Sequence, residues 1–383
     1  MRAAAIAVAA ILALVSGSGP VLASAQDEAA DLQFIRMQGS LAGWAVTAIR
    51  EPGPNRLLRT ADGGVHWEDV TPPASSGVSQ PAVLTALVAW VEASTLLYTS
   101  DGGRTWRSLG PLPMLHARGN GALFPVPGTL DFLDELNGWR MMAAGTPGGE
   151  EVDIHRTADG GATWVRIAGA ASGDESSGLP FAGTKTGVVF LNTTTGWLTG
   201  YRPECGQTFL FVTRDGGHRW GPQRVPPPSR VKRWNGSTLP PVFFSIHDGV
   251  LPVSISYAVK DGYCEDGNTA VVFYVTHDGG ATWTATTPVA GRGIAAWSFA
   301  DMAHGWVVGE GGLSRTMDGG RRWTTLPLPR DYADIHQLEF ISPQVGWAVR
   351  GSIWTLQRTP GSLLKTVDGG QTWTPVAYTI SRP

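Results

Sequence analysis

Short apolar and alternating segments, separated by glycine-rich turns, run along most of the chain. The clearest unit spans residues 295–326, where four such segments lie at 295–299, 305–308, 313–316 and 322–326. Runs of this length, with period-two alternation and glycine punctuation, are typical of antiparallel β-strands. No helical period separates the units. The pattern therefore predicts an all-β chain built from four-stranded units.

One motif, Thr-x-Asp-Gly-Gly-x-x-Trp, recurs seven times. Its aspartates are Asp62, Asp101, Asp159, Asp215, Asp278, Asp318 and Asp368. Its tryptophans are Trp67, Trp106, Trp164, Trp220, Trp283, Trp323 and Trp373. Successive aspartates are 39, 58, 56, 63, 40 and 50 residues apart, which is close to the length of a four-stranded propeller blade. The sequence thus predicts a seven-bladed β-propeller of four-stranded antiparallel blades.

We expect a single propeller domain over residues 26–383. The repeat spacing predicts blades that end near residues 71, 110, 168, 225, 287, 328 and 379.

The repeated motif is interpreted as structural. Its carboxylate is suited to accept hydrogen bonds from the backbone N–H groups of its own turn, and two glycines supply the positive φ angles of a tight turn. Its tryptophan is suited to fill the space between blades. Because seven equivalent aspartates cannot share one catalytic site, we assign them no catalytic role.

Composition and charge exclude several classes of function. Lys and Arg number 29 against 32 Asp and Glu, so the net charge is −3 and there is no positive excess to hold a nucleic acid. The eight His are scattered without zinc-ligand spacing, and no phosphate loop, dinucleotide fingerprint or serine-hydrolase elbow is present. We therefore predict no cofactor, no metal site and no nucleic-acid partner.

The first 25 residues resemble an export signal. An apolar run at residues 3–15 follows Arg2, and Ala23-Ser24-Ala25 has the small-x-small pattern of a signal-peptidase site. An uncleaved anchor is the alternative, but thirteen apolar residues are short of the roughly 20 that a spanning helix needs. We expect cleavage after Ala25, a monomeric mature chain without a transmembrane segment, and a secreted or periplasmic location.

The repeat resembles the Asp-box, or BNR repeat, of sialidases, sortilin-type receptors, xyloglucan-cleaving propellers and propellers of the photosystem II assembly-factor type. The last group is the most similar, because its repeats combine Gly-Trp, a glycine-rich turn and the box, as residues 305–323 do. The resemblance covers about residues 32–378. It implies a propeller whose boxes lie in outer turns, far from the face that binds ligands.

In such a propeller the turn after each second strand and the connections between blades open on one face. These turns are long at 50–56, 145–153, 201–207, 260–268 and 350–362, and the connections are long at 111–129 and 222–241. Binding residues usually lie on elaborated loops at one end of a rigid scaffold. Arg, Tyr and Trp dominate interface energetics. The predicted contact residues are Arg50, Tyr201, Arg202, Lys260, Tyr263, Arg350, Trp354 and Arg358.

The chain has two cysteines, Cys205 and Cys264, in the corresponding loops of blades 4 and 5. Because an exported chain enters an oxidising compartment, we expect a disulfide between these neighbouring loops. Two cysteines alone lack the four ligands of a zinc site.

Two functions remain open at this point. The first is a non-enzymatic propeller that binds a protein or glycan through its loop-bearing face, as an assembly or stability factor for an envelope complex. The alternative is a sialidase-like or xyloglucanase-like glycoside hydrolase, which needs two carboxyl groups across its substrate. Candidate carboxyl groups are those of Asp131, Asp134, Glu150, Glu151, Asp261, Glu265 and Glu310. Residues 34–37 lack the Arg-Ile-Pro motif typical of sialidases, so we favour the binding function and predict no catalytic residues.

Overall fold

A computed structural model describes residues 30–47, 54–73, 75, 77–78, 81–115, 125–146, 149–202, 208–229, 231, 233–258, 268–291, 296–309, 312–328, 334–351 and 362–381. The expected signal peptide, residues 1–25, lies outside this part of the chain.

Seven sheets, each built mainly from antiparallel strands that are consecutive in sequence, form the blades of a propeller. Blades 1 and 2 contain β1 (Leu32–Met37), β2 (Gly43–Thr47), β3 (Leu57–Thr60), β4 (His66–Asp69), β5 (Ala82–Val83), β6 (Ala89–Glu92), β7 (Leu96–Thr99) and β8 (Arg107–Gly110). Blades 3 and 4 contain β9 (Pro125–Phe132), β10 (Gly138–Thr146), β11 (Gly149–Thr157), β12 (Val165–Ala170), β13 (Thr184–Phe190), β14 (Gly196–Tyr201), β15 (Phe209–Thr213) and β16 (Gly221–Pro222).

Blade 5 has six strands: β17 (Arg233–Thr238), β18 (Val242–Phe243), β19 (Gly249–Ala258), β20 (Asn268–Thr276), β21 (Thr284–Ala285) and β22 (Val289–Ala290). Blades 6 and 7 contain β23 (Ala296–Phe299), β24 (Gly305–Gly309), β25 (Gly312–Thr316), β26 (Thr324–Leu326), β27 (Ile335–Phe340), β28 (Gly346–Arg350), β29 (Leu363–Thr366) and β30 (Thr374–Pro375). The predicted all-β, seven-bladed architecture is confirmed.

The C-terminal strand β31 (Thr379–Ser381) joins the first blade. It pairs in parallel with β4, so blade 1 has five strands and the end of the chain lies on its outer edge. Ile380 is 2% exposed within a core cluster shared by blades 1 and 7. The Tyr378 hydroxyl donates to the Ala30 carbonyl at 2.6 Å. Residues that precede β1 and β31 thus bond to each other where the ring closes.

The seven Thr-x-Asp-Gly-Gly turns, named Asp turns below, share one hydrogen-bond pattern. In blade 3, Gly161 N donates to Thr157 Oγ1 at 2.8 Å, and Thr163 N donates to Asp159 Oδ1 at 2.8 Å. The same two bonds recur in every blade. Both glycines have positive φ, 74° and 99° in this turn. The carboxylate therefore organises its own turn, as the sequence predicted.

Replacing Asp159 by alanine should destabilise the protein by about 1 kcal/mol, since several hydrogen bonds are lost but the site is exposed to water. Asp159 Oδ2 also accepts the Thr163 hydroxyl at 2.6 Å, and this bond, with the backbone N–H of Thr163 and the other bonds of the turn, lowers the pKa of Asp159 to about 2. Asp318 is the matched control, because the residue four positions on is Arg322 and supplies its backbone N–H but no hydroxyl. Denaturant unfolding should show a smaller loss for Asp318→Ala than for Asp159→Ala. Equal losses would mean that the threonine hydroxyl contributes nothing.

Buried tryptophans connect neighbouring blades. Six blades carry a tryptophan as the second residue of their second strand, and all six are 0% exposed: Trp44, Trp90, Trp139, Trp197, Trp306 and Trp347. Four indole N–H groups donate to the first glycine of the next blade's Asp turn, at Gly160, Gly216, Gly369 and Gly63. The last of these bonds runs from blade 7 to blade 1, so the same tryptophan-to-glycine hydrogen bond that joins neighbouring blades also closes the ring.

Candidate functional site

Two faces of the propeller differ in construction. In every blade the first glycine of the Asp turn donates its N–H to the turn between strands one and two, as Gly160 does to Leu136 O at 2.9 Å. These two sets of turns therefore share one face, the Asp-turn face. The opposite face, named the loop face, carries the second-strand turns and the inter-blade connections. In blade 3, Glu150 N in the second-strand hairpin donates to Phe181 O in the connection to blade 4, which confirms this grouping.

Blades 3 and 5 extend further towards the loop face than the other blades. Strands β10 and β19 have nine and ten residues, whereas β14 of blade 4, between them, has six. All three begin at a glycine next to the Asp-turn face, so the difference of three or four residues lies on the loop face. At about 3.3 Å per residue it amounts to about 10 Å. The loop-face end of blade 4 is thus flanked by two taller blades.

The extension of blade 5 forms a second tier of sheet. Near the Asp-turn face, β18 pairs with the first residues of β19. Nearer the loop face, β17 pairs with the later residues of β19, and β22 pairs with the early residues of β20. Trp234 on β17 is buried in a core cluster shared with blade 4. The sequence placed residues 111–129, 145–153 and 222–241 in connections, but strand β9 begins at 125, β10 and β11 take up 145–146 and 149–153, and β17 takes up 233–238. Within residues 145–153, Glu150 and Asp153 are buried on strand β11 instead of lying in an exposed turn.

A buried lysine holds the junction between blades 3 and 4. Lys185, at the loop-face end of β13, is 1% exposed. Its Nζ donates to the carbonyl oxygens of Phe181 (2.8 Å), Gly183 (2.9 Å) and Glu150 (3.2 Å), and its backbone N–H donates to Glu150 Oε2 at 2.7 Å. With three carbonyl acceptors the ammonium is fully bonded. Lys185 therefore fixes the loop-face frame rather than offering a free amine.

The electrostatics of this junction involve a predicted contact residue. Burial lowers the pKa of Lys185 to about 8, the Glu150 carboxylate opposes the shift, and the charge of Arg202 adds to it. Arg202 follows Tyr201, the last residue of β14, and both are half-buried. The structure thus brings Tyr201 and Arg202 together with Lys185 and Glu150 between the two tall blades.

The other predicted contact residues fall elsewhere. Arg350 ends β28 in blade 7, where its Nε donates to Asp334 Oδ1 at 3.0 Å, so it does not join the blade 4 group. The remaining five lie outside the described residues: Arg50, Lys260, Tyr263, Trp354 and Arg358. Cys205 and Cys264 also lie outside them, and their disulfide stays a prediction.

The carboxylates considered for a glycosidase occupy different structural settings. Asp134 Oδ1 accepts Leu136 N and Asn137 N in a turn on the Asp-turn face. Glu150 and its neighbour Glu151 lie in the blade 3 hairpin, and Asp131 lies on an inner strand. Asp261, Glu265 and Glu310 are outside the described residues. In the part of the chain that the structure describes, no three potential metal ligands come together.

Two acidic residues of the central channel have raised pKa values. Strand β9 places Asp131, and strand β27 places Glu339, directly opposite the blade tryptophans Trp139 and Trp347. Asp131 Oδ2 accepts Phe190 N of the next blade at 2.8 Å, and Glu339 accepts the Met37 N–H across the ring closure. Burial raises the pKa of Asp131 to about 6 and that of Glu339 to about 7, and Arg36, 3.7 Å from Glu339, partly opposes the second shift.

These inner-strand side chains satisfy backbone groups that the adjacent blade leaves unpaired at its channel edge. Gln337 does the same, accepting Ile35 N at 2.9 Å and donating to Ile35 O at 2.7 Å. Sequence reasoning singled out Asp131 only as a catalytic candidate and missed Glu339, Gln337 and Lys185. For Asp131 and Glu339 the sequence held a signal, because each is an acidic residue of the first strand directly opposite a repeated tryptophan, where an apolar residue is expected. Gln337 and Lys185 lie at other positions of their strands.

No family model matches the sequence, and no curated protein matches it either. Solved structures similar to this chain include YCF48 bound to D1 peptide, with 16% identity over 88% of this chain and 93% of that one and a TM-score of 0.49. They also include the GH93 α-L-arabinofuranosidase of Fusarium graminearum, at 12% identity, 82% and 93% coverage and a TM-score of 0.39. The GH74 enzyme of Niastella koreensis is 14% identical with a TM-score of 0.34; 89% of this chain is covered, and it spans 62% of that enzyme. These proteins differ in function and assign none to this chain.

The part of the chain that the structure describes contains no helix of the length and apolarity needed to cross a membrane.

Proposed function

We propose that this protein is an exported, non-enzymatic propeller that binds a protein partner through its loop face, at the end of blade 4. The observation that carries the proposal is the placement of Tyr201 and Arg202 between the taller strands of blades 3 and 5. Tyrosine and arginine are among the residues that contribute most to interfaces. The opposite face carries the seven Asp turns, which are short and hydrogen-bonded within themselves.

The frame around these two residues is rigid enough to present them. Lys185 and Glu150 bond the blade 3 hairpin to the connection that leads into blade 4. Thr238 of β17 links to blade 4 as well, since its hydroxyl accepts Gly200 N at 3.0 Å. Both flanking blades are therefore bonded to blade 4. A preformed surface lowers the ordering cost of binding.

Replacing Tyr201 and Arg202 together by alanine should lower retention of the partner at least about tenfold, because truncating interface anchors of this kind costs about 2 kcal/mol or more. The oxidised mature chain, residues 26–383, is immobilised and exposed to a native envelope or secreted fraction. A protein retained in stoichiometric amount is then titrated against each variant by surface plasmon resonance.

Two control variants locate the surface. Arg219→Ala changes an exposed arginine of the same blade on the Asp-turn face and should leave binding unchanged. Leu41, Leu87 and Leu136 are 59%, 43% and 58% exposed on the Asp-turn face, and their replacement by serine tests the rival surface. If the leucine variants lose binding while the variant that lacks Tyr201 and Arg202 keeps it, the binding site lies on the Asp-turn face and the proposal is wrong.

The glycoside-hydrolase alternative has its own test. Sugar release from a glycan panel that includes sialosides and xyloglucan, abolished by replacing one loop-face carboxylate, would overturn the non-enzymatic proposal.

A further inference from the structure

A pocket of about 330 Å³ lies where the ring closes, between blade 7 and the Asp turn of blade 1. At the other six junctions the chain passes from the outer strands of one blade to the inner strand of the next. Here it passes from β30 over residues 375–377 to β31, on the outer edge of blade 1, and these three residues line the pocket. The volume lies at the lower end of the range of small-molecule sites.

The walls of this pocket are mainly apolar. Val65 of the blade 1 Asp turn and Val367 of the blade 7 Asp turn line it, and they are 42% and 67% exposed. Residues 375–377, Pro-Val-Ala, form the wall between the two turns. Val65 O accepts Thr379 N at 3.1 Å, which holds this segment against the blade 1 turn. The pocket therefore offers a preformed aliphatic surface that the described residues leave open.

The side chain of Lys365 brings an ammonium group to this pocket. Trp347, Lys365 and Thr374 are direct neighbours across β28, β29 and β30, so their side chains lie on one face of blade 7. That face is turned towards blade 1, because the Trp347 indole donates to Gly63 O. Lys365 Nζ lies 4.8 Å from the centre of the Trp347 ring, and a Cβ built on Gly63 would be 3.1 Å from it. The ammonium group thus lies at the end of the pocket that the blade 1 turn forms.

Arginines at the same position of blades 1 and 6 use their donors within the fold. Arg59, Arg315 and Lys365 each lie opposite a second-strand tryptophan. Arg59 Nε donates to Ala86 O at 3.3 Å, and Arg315 Nη1 donates to Gly369 O at 3.2 Å, in each case a carbonyl of the next blade. Among the described residues, Lys365 Nζ has no such acceptor and no ion-pair partner. Its three N–H donors remain for a ligand.

The carboxylates of the two flanking Asp turns are engaged within those turns. Asp368 Oδ2 accepts the Thr372 hydroxyl at 2.6 Å, and Asp62 Oδ2 bonds to His66 Nδ1. A lysine ammonium beside an aliphatic wall is complementary to an anion that carries an apolar chain. A peptide fits this wall less well, because its backbone N–H and C=O groups need polar partners that the wall lacks.

We propose that this pocket binds a small carboxylate with an unbranched apolar chain, of the medium-chain alkanoate type. Lys365 pairs with the carboxylate, and Val65, Val367 and residues 375–377 contact the chain. The pocket is built from Asp turns and lies on the opposite side of the propeller from the loop-face surface proposed above. Either proposal can therefore fail without the other.

Isothermal titration of the mature chain with hexanoate tests the assignment, with 1-hexanol and hexylamine as probes that lack the negative charge. We expect hexanoate to bind with about millimolar affinity, within the range open to so small a ligand. Hexanol should bind at least about tenfold more weakly, since a hydrogen bond between charged groups contributes about that factor. Hexylamine should bind more weakly still, because its charge repels Lys365.

Three variants assign the contacts. Lys365→Met keeps the unbranched apolar stem and should weaken hexanoate about tenfold, while hexanol stays within about twofold. Val367→Ser removes apolar surface from the rim and should weaken both probes about fourfold. Met317→Ser is the matched control, because Met317 holds the same position in the blade 6 Asp turn, is 62% exposed and does not line the pocket. It should leave both affinities unchanged, and circular dichroism confirms that all three variants fold.

Three results would overturn the proposal: no binding of hexanoate at about 10 mM, equal affinity for hexanol, or hexanoate binding that Lys365→Met leaves unchanged. Tighter binding of N-acetyl-leucyl-leucine than of hexanoate, lost in Lys365→Met, would show that the pocket takes a polypeptide C-terminus and that the alkanoate assignment is wrong.

Discussion

Replacing Trp347 by alanine should lower the free energy of unfolding by about 4 kcal/mol, the usual cost of removing a buried tryptophan from a packed core. Trp347 is 0% exposed, and its Nε1–H donates to Gly63 O at 3.1 Å across the boundary between blades 7 and 1. The same core cluster contains Ile380 of the C-terminal strand. The substitution therefore opens a cavity and removes a bond where the ring closes. Guanidinium unfolding, followed by far-UV circular dichroism, measures the loss.

Two variants separate the contributions at this boundary. Trp347→Phe keeps most of the ring but not the indole N–H, and should cost about 1–2 kcal/mol, because the Gly63 carbonyl loses its donor. Trp139→Ala makes the equivalent change between blades 3 and 4. Its loss should be similar, but faster hydrogen exchange should appear in blades 3 and 4 rather than in blades 1 and 7. A loss below about 1 kcal/mol for Trp347→Ala would show that β31 alone closes the ring.

The fold was predictable because its signal is repeated. Seven Asp turns fix where the third strand of each blade ends, and the alternation around them fixes the strands on either side. Each Thr-x-Asp-Gly-Gly segment carries its own hydrogen bonds, as the bond from Gly161 N to Thr157 Oγ1 shows. Local chemistry of this kind can be read from the sequence without knowing any distant contact.

Long-range features could not be read in the same way. The pairing of β31 with β4 joins residues more than 300 positions apart, and nothing in residues 379–381 distinguishes them from an exposed tail. The two-tier sheet of blade 5 depends on the distal part of β19 receiving β17. Pairing of this type is decided by tertiary packing and not by local propensity.

The candidate sites were less predictable than the fold for a physical reason. Residue type suggested Tyr201 and Arg202, and the pairing of β13 with β14 places them beside Lys185, but the closeness of Glu150 depends on how the blade 3 hairpin packs on the connection to blade 4. The ring places Glu339, which the sequence did not single out, at the same register position of its inner strand as Asp131 and Arg36, each opposite a blade tryptophan. The sequence shows which polar side chains are present, but which of them lie close together depends on how the blades close into a ring.

Replacing Asp131 by asparagine should stabilise the protein by about 3 kcal/mol at pH 8 and leave its stability unchanged near pH 3. Burial raises the pKa of Asp131 from 3.8 to about 6 and that of Glu339 from 4.5 to about 7. At pH values between the unfolded and the folded pKa of each group, the unfolded chain has released a proton that the folded chain still binds. The two groups therefore reduce stability as the pH rises from about 4 to about 7. Two units of pKa correspond to about 3 kcal/mol. The asparagine oxygen still accepts the Phe190 N–H.

The Asp turns act in the opposite direction at lower pH. Hydrogen bonds from the following threonine hydroxyls lower the pKa values of Asp101, Asp159 and Asp278 to about 2, so their stabilising contribution is lost as the pH falls from about 4 to 2. Burial lowers the pKa of Lys185 to about 8, so its charge reduces stability below that pH, and this loss is recovered only as the pH rises above 8. From these groups, stability should be greatest near pH 4–5 and decline towards pH 8.

Urea unfolding at pH 4, 6 and 8 checks this profile on the wild type, Asp131→Asn, Glu339→Gln and the double variant. Glu339→Gln should behave like Asp131→Asn, because Arg36 is half exposed and tolerates the loss of its partner. The two effects should add, since blades 3 and 7 contribute the groups separately. In the double variant the decline from pH 4 to pH 8 should largely disappear. A decline of the same size, or a loss of stability at pH 8, would mean that the channel carboxyls are well solvated and that their burial does not set the pH dependence.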